Sequence, residues 1–425
     1  MSEAAPVRRV AVLGQGYVGL PLAMRAVEVG YEVVGYDTNS TRIKSLAAGE
    51  SYVEDVPDSV VASALATGRY RPTDEESACA GFDVAVITVP TPLREGVPDL
   101  SAIEAAGATT AEHLRAGVTV VLESTTYPGT TTELLVPILD AGSGLEAGRD
   151  FQVGFSPERI DPGNPIWTLV NTPKVVSGID DASLAAVGAF YATLVDEVVP
   201  VSGPAEAELS KLLENTFRHV NVALVNEMAM FAADLGIDVW ESIRAASTKP
   251  FGFMPFTPGP GVGGHCLPID PSYLSWRVRR RLGQSFRFVE LANDVNDHMP
   301  NYVVSRLVTG LNSRRKAVNG SRVLLLGLAY KRNSSDARES PSVAVADLLL
   351  GLGAEVRAAD PHVVEGKGVD ASVVRVSATV DEAAEADAVI LLTDHDDFDL
   401  PALAAAAPYF LDTRNRVAGP GVERL

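Results

Sequence analysis

Cys266 lies in the segment PGPGVGGHCLPIDP, residues 258–271, and is one of two cysteines in 425 residues. Glycines before it and prolines on both sides leave the backbone little bulk, which suits a sulfur that a substrate must reach. Thiolate sulfur is a strong nucleophile when a neighbour lowers its pKa; otherwise cysteine is commonly a buried, inert side chain. Lys211, Asn215 and His219 recur at intervals of four, so they share one face of a helix. A cation and an amide on such a face can hold a developing oxyanion or alkoxide. A solvated helix face has the same spacing. His219 is read as structural.

Gly14, Gly16 and Gly19 in GQGYVG, with Tyr17 and Val18 between them, follow an apolar strand and open a helix. In that setting the first glycine permits the tight turn and the second lets a pyrophosphate approach the backbone. The third lets helix and strand pack closely, and the helix N-terminus offers amides to the phosphates. Asp37 closes the second strand, where an acid binds a ribose 2′-hydroxyl and repels a 2′-phosphate. NAD is therefore expected over NADP, with Arg42 nearby as the one counter-indication. A short-chain epimerase would need a Tyr four residues before a Lys, and none of the eleven tyrosines has it.

The elements that position these residues follow from periodicity. Strands alternate with helices from residue 9 to about 200, through DVAVITV, VTVVLES, FQVGF, PKVVSG and EVVPV. That alternation predicts a parallel, doubly wound α/β sheet. From Pro204 to Leu235 apolar residues keep a helical period, predicting an unusually long helix that links two domains and contributes to a subunit interface. The alternating pattern resumes in SRVLLLGLAYK, residues 321–331, as a weaker repeat without the glycine fingerprint. The expected domains are 1–202, 203–310 and 311–425.

Composition bounds the function. The net charge of −20 argues against nucleic acid as a partner. No stretch reaches the length of a membrane span, and the N-terminus lacks a signal-peptide core, so a cytoplasmic, membrane-independent protein is expected. Two cysteines make no disulfide framework.

Taken in order, GQGYVGLP, VPTPL (89–93), ESTTYPGTT (123–131), SPERIDPGN (156–164), ELSKLLENTFRHVNVALVNE (208–227), GPGVGGHCLPIDP (259–271) and LGLAYKRNSSDARESPS (326–342) resemble the UDP-glucose/UDP-N-acetylhexosamine 6-dehydrogenase family nearly end to end. The resemblance implies two Rossmann-like doubly wound domains joined by a long central helix and a helical dimerisation domain, hence a homodimer. It implies four-electron oxidation of a nucleotide-linked hexose at carbon 6, with two NAD and one water, and no metal. Cys266 would form a thiohemiacetal and then a thioester. Lys211 and Asn215 would hold the oxyanion, Asp270 and Thr125 would move protons and water, and Glu158 would serve thioester hydrolysis. Thr91, Thr125 and Arg338 are expected toward the cofactor, and Glu158, Arg159, Lys211, Asn215, Gly263 and Lys331 toward the nucleotide sugar.

Glucose and N-acetylhexosamine both stay open as the sugar, and uracil and thymine as the base; His265 and TKPFGFMPF lean toward the N-acetylhexosamine branch. A two-electron β-hydroxyacid-type dehydrogenase would share the first domain and the Lys-x-x-x-Asn helix but needs no cysteine. A NAD-binding regulatory module would need none of these polar groups.

Overall fold

The computed structural model describes residues 9–94, 96–161, 164, 166–264, 266–363 and 369–425; of Cys266 and Pro268 it describes the backbone alone. His265 and the Cys266 side chain thus lie outside the described residues. The chain divides into two compact units, Met1–Glu214 and Asn215–Leu425.

In the first unit the strands are β1 (Arg9–Leu13), β2 (Glu32–Tyr36), β3 (Tyr70–Thr73) and β4 (Val84–Ile87). After a short antiparallel hairpin, β5 (Leu93–Arg94) with β6 (Val97–Pro98), come β7 (Thr119–Leu122) and β8 (Gln152–Phe155). Six of them form one parallel sheet in the order β3-β2-β1-β4-β7-β8. The order reverses between β1 and β4, the switch point where such sheets bind ligands beyond their carboxyl ends. β4 and β7 are buried along their whole length, as expected of strands covered on both faces. Residues of α1 (Gly19–Glu28), α3 (Asp58–Ala66) and α6 (Asp181–Tyr191) share the core on one face. Residues of α4 (Ser101–Glu112) and α5 (Val136–Ser143) share it on the other. The short α2 (Ser40–Ala47) follows β2.

One sequence expectation needs correcting here. PKVVSG and EVVPV do not extend the main sheet: β9 (Lys174–Val176) and β10 (Val198–Pro200) form a parallel ribbon of their own. The ribbon is tied to β8 just beyond its end, where the Ser177 and Ile179 amides donate to the Phe155 and Val153 carbonyls.

The predicted long helix is α7 (Pro204–Asp234), and the division between units falls within it. In the second unit α8 (Val239–Ala246), α9 (Cys266–Leu282) and α10 (Arg287–Ser313) precede the repeat. The repeat comprises β11 (Arg322–Leu326), α11 (Pro341–Gly351), β12 (Glu355–Ala359), β13 (Val374–Arg375), α12 (Val380–Glu385), β14 (Ala388–Leu391), α13 (Leu400–Ala406), β15 (Phe410–Asp412) and β16 (Val422–Arg424). Its sheet order, β13-β12-β11-β14-β15-β16, reproduces that of the first unit, again parallel throughout. α10 and α11 supply core residues on one face, α12 and α13 on the other.

α10 lies close to this sheet because Gly310 has no side chain. A Cβ there would stand 2.3 Å from the ring and hydroxyl of the fully buried Tyr409, whose hydroxyl donates to Glu423 at 2.9 Å. Gly310→Ala is expected to cost about 1–3 kcal/mol as an overpacked core. Thermal melting checks this, and an unchanged melting temperature would mean that α10 shifts freely.

Candidate functional site

In the first unit the glycine turn after β1 has its geometry enforced by neighbours. The Gly14 amide donates to the Tyr36 carbonyl at 2.8 Å with φ at +98°, and a Cβ would meet the Thr88 carbonyl oxygen at 2.8 Å. At Gly19 a Cβ would fall 1.9 Å from the Gly14 oxygen, so the third glycine is required by the turn itself. Gly16 differs: nothing lies within 4 Å of its missing Cβ, which leaves open space over the backbone beside Tyr17 and Val18. Asp37 is buried, accepting from the Gln15 amide at 2.9 Å, the Asn39 amide at 2.9 Å and Arg42 Nη1 at 3.4 Å. Gln15 is fixed in turn by Tyr70, whose hydroxyl donates to its Oε1 at 2.7 Å, and by Tyr52, which donates to its carbonyl. An open glycine backed by an oriented carboxylate fits a dinucleotide's pyrophosphate and ribose. Thr88, Gln15, Tyr52 and Tyr70 were not singled out from sequence. Only Gln15, inside the fingerprint, carried any signal.

Thr125 is half-buried, and its carbonyl accepts from the Thr91 hydroxyl at 2.8 Å. The following turn hangs from α7: buried Glu208 accepts from the Gly129 amide at 2.6 Å and from the Thr131 amide and hydroxyl at 2.9 and 2.7 Å. Glu158 accepts from the Ile160 amide at 2.6 Å and lies 3.6 Å from buried Lys174, which also pairs with buried Glu123. Burial works against the Glu158 charge, but Lys174, the Ile160 amide and Lys211 prevail and hold its carboxyl below the usual range. Arg159 turns to Glu214 at 2.7 Å and to the Pro173 carbonyl at 2.7 Å. Cys79 is buried against the sheet, and burial pushes its thiol up to about 11, so it is no nucleophile.

On α7 the structure reverses the outward–inward sense of a solvated polar stripe. Lys211, Asn215, His219 and Asn226 are buried, whereas Leu209, Leu213, Phe217, Leu224, Met228 and Phe231 are exposed. In the second unit Asn215 Nδ2 donates to buried Asp270 at 2.5 Å. Asp270 therefore serves as a partner of Asn215 within α9. His219 Nε2 meets Asn293 at 2.7 Å, and burial lowers the His219 pKa. Asn226 donates to Asn296 and accepts from the Gly259 amide, both at 3.0 Å. His219 lies within an Asn-rich network that periodicity did not reveal.

The glycines before Cys266 allow close contact with a neighbouring turn. A Cβ on Gly263 would lie 2.7 Å from the Glu339 carbonyl oxygen and from Tyr330, and one on Gly264 would strike the Tyr330 ring at 2.7 Å. The Gly264 amide donates to the Arg338 carbonyl at 3.1 Å. The turn carrying Lys331 and Arg338 is therefore the seat of the Cys266 loop. The Arg338 side chain itself is paired with Asp336 at 2.6 Å.

The repeat's own turn mirrors the first, yet is occupied. The Gly327 amide donates to the Ala359 carbonyl at 2.9 Å, and Asp360 accepts from the Leu328 and Ala329 amides at 2.6 and 3.0 Å. His395 closes on the same carboxylate at 3.0 Å, both side chains being fully enclosed. No helix among the described residues is long and apolar enough to cross a membrane, and none of their His, Cys, Asp and Glu side chains cluster to hold a metal.

Comparison with known proteins assigns all three segments. Residues 8–195 match the NAD binding domain of the UDP-glucose/GDP-mannose dehydrogenase family, 205–298 its central domain and 324–419 its UDP binding domain. A UDP-N-acetyl-D-mannosamine dehydrogenase of Pyrococcus horikoshii is 36% identical over 92% of this chain and 90% of its own. A UDP-N-acetyl-D-glucosamine 6-dehydrogenase of Pseudomonas aeruginosa is 38% identical over 84% and 83%. A solved UDP-D-ManNAc dehydrogenase from Pyrococcus horikoshii superposes with a TM-score of 0.89 at 33% identity, covering 98% of each chain.

Asp37→Ala is expected to weaken NADH binding about tenfold, the order of one charge-assisted hydrogen-bond pair. It also releases Arg42 toward a 2′-phosphate, so discrimination against NADPH should fall. Fluorescence titration with both cofactors checks this; unchanged discrimination would remove Asp37 from ribose selection.

Proposed function

We propose a reaction for this chain, which belongs to the UDP-glucose/GDP-mannose dehydrogenase family: oxidation of carbon 6 of a UDP-linked N-acetylhexosamine to the uronate. Gly14, Gly16, Tyr17, Val18, Gly19 and Asp37 would hold NAD, with Thr91, Thr125 and Arg338 as further contacts, and the bound cofactor would supply the hydride acceptor for both oxidations.

Cys266 is the nucleophile. An aldehyde can lose a second hydride only from a tetrahedral adduct, and a thiolate gives one whose acyl product still hydrolyses. The Cys266 thiolate adds to the aldehyde carbon, forming a C–S bond and an oxyanion that Lys211 and Asn215 stabilise. Oxidation of this thiohemiacetal leaves a thioester. Water then forms the new C–O bond, Glu158 takes its proton, the C–S bond breaks and the sulfur departs as thiolate. Asp270 orients Asn215 and moves protons at the oxyanion, and Thr125 orders water. Arg159, Gly263 and Lys331 contact the nucleotide sugar. The sum is one alcohol, two NAD and one water giving one carboxylate and two NADH, with protons released.

The observation that carries this reading is the inward turn of the α7 polar face. Burying an ammonium and an amide costs folding energy that a solvated stripe would avoid, which is expected where chemistry requires them. The N-acetylhexosamine is favoured because the relatives above are named for such substrates.

The apolar stripe on the opposite face of α7 is proposed to close against a second copy of the chain. Its residues Leu213 and Phe231 are 65% and 58% exposed, more apolar surface than a single copy accounts for. Leu224→Glu with Phe231→Glu should convert a dimer to monomer by light scattering; an unchanged mass would exclude this face.

The wild type should form two NADH per sugar, and Cys266→Ser should lose uronate. One NADH per sugar in the wild type would leave only a two-electron dehydrogenase. Among UDP-N-acetylglucosamine, UDP-N-acetylmannosamine and UDP-glucose, an acetylated sugar should have the highest kcat/KM.

A further inference from the structure

Glu123, Lys174 and Tyr191 are buried in the first unit and take part in none of the steps above. Lys174 opens β9, a strand buried at every position, where an ammonium is tolerated only with paired charges and hydrogen bonds. Its partners are Glu123 just after β7, the Pro157 carbonyl at 3.1 Å and Glu158 at 3.6 Å. Tyr191 of α6 donates to the other oxygen of Glu123 at 2.6 Å. One ammonium thus stands between two carboxylates of different standing. Glu123 is fully enclosed and doubly held, while the Glu158 side chain is 12% exposed.

We propose that Lys174, clamped by Glu123 and Tyr191, is the positioning residue that keeps Glu158 ionised and oriented to take the proton of the water that hydrolyses the thioester. The proposal rests on the reading of Glu158 given above. Glu158 faces Lys174 from β9, Lys211 from α7 and Glu123 from the end of β7; adjacent Arg159 is engaged by Glu214. Two of these groups are cations, and Lys174 has the larger effect on Glu158. Glu123 neutralises part of Lys174, and burial pushes the Glu123 carboxyl up to about 7.

The direction of the pH effect follows. Hydrolysis requires ionised Glu158 and so fails as pH drops through its pKa. Without Lys174, burial dominates, the Glu158 pKa rises, and the acid limb moves to higher pH.

The test uses the full-length enzyme with NAD and its UDP-sugar, following acyl-enzyme by intact mass after quenching across a pH series. Lys174→Met alone would strand Glu123 without its partner, so Glu123→Gln/Lys174→Met replaces both charges together, a change buried pairs often tolerate. In this double variant the acid limb of acyl-enzyme decay should rise by about one pH unit, with KM for the UDP-sugar changed less than about threefold. Lys174→Arg, which keeps the charge, should leave the limb in place. An unmoved limb in the folded double variant, or an equal shift in Lys174→Arg, overturns the proposal. Glu158→Gln separates the two levels. If it accumulates acyl-enzyme while the double variant keeps the wild-type limb, the Lys174 inference alone falls. If Glu158→Gln turns over the acyl-enzyme normally, the reading of Glu158 falls and the inference with it.

Discussion

The structure depends on one constraint: the face of α7 that bears Lys211, Asn215, His219 and Asn226 is turned inward and must be satisfied along its length. Buried donors and acceptors without partners cost more than most single packing defects, so each polar side chain fixes whatever accepts it. Within the first unit Glu208 holds the 129–131 turn, Lys211 supports the charge on Glu158, and Glu214 holds Arg159. Within the second, Asn215 fixes Asp270, His219 fixes Asn293, and Asn226 fixes the backbone at Gly259, ahead of the Cys266 loop. The helix is therefore a rack of hydrogen bonds. Its regularity converts sequence spacing into spatial spacing for loops that have little structure of their own.

The same logic explains why so much charge is buried behind Glu158. A carboxylate in an apolar site drifts toward its neutral form unless cations oppose that drift. A lysine brought in to oppose it must itself be paired, or its own burial would exclude it. Glu123 and Tyr191 pair Lys174 from the far side and leave its remaining field to Glu158. Three residues are thus linked to the charge state of one carboxylate. Such support is expected wherever a site needs an ionised group out of water.

These features differ in how far the sequence showed them. The two parallel sheets, the long helix and the glycine turn were legible because each rests on a local rule: period two, period 3.6, or a residue type that only one backbone conformation favours. Lys211 and Asn215 were singled out by helical spacing, and Glu158 and Asp270 through the family resemblance. Lys174 was not, although a lone cation at the start of a valine strand is itself a sign of a buried pair. Nor were Asn293 and Asn296, because amides on a long helix look the same whether they face water or another helix. The inward turn of α7 was also hidden. A helix with both a polar and an apolar stripe has a defined pattern, but pattern alone does not say which stripe faces the core. The ribbon of β9 and β10 was read as part of the main sheet because strand propensity carries no record of pairing partner.

The repeat in the second unit shows how little the fold alone decides about its ligand. Both turns begin with a glycine of positive φ, +98° at Gly14 and +88° at Gly327, and both end at a carboxylate after the second strand. Both carboxylates accept amides from the turn. The difference lies in the remaining valences. Asp37 meets a partly exposed Arg42 and lies beside an open glycine, so a ribose can compete for it. Asp360 is closed off by His395, which is itself held at Nδ1 by the Asn333 amide at 2.9 Å. Burial opposes the Asp360 charge, yet the bonds from His395 and the Ala329 and Leu328 amides hold its carboxyl far below the usual range. A carboxylate satisfied on every side has nothing left to offer a cofactor, and the turn becomes scaffold. In the second unit that scaffold does other work: the residues after it, Tyr330 to Pro341, seat the glycines that lead to Cys266. The closed carboxylate and the seat of the glycines before Cys266 thus belong to one turn and the residues that follow it.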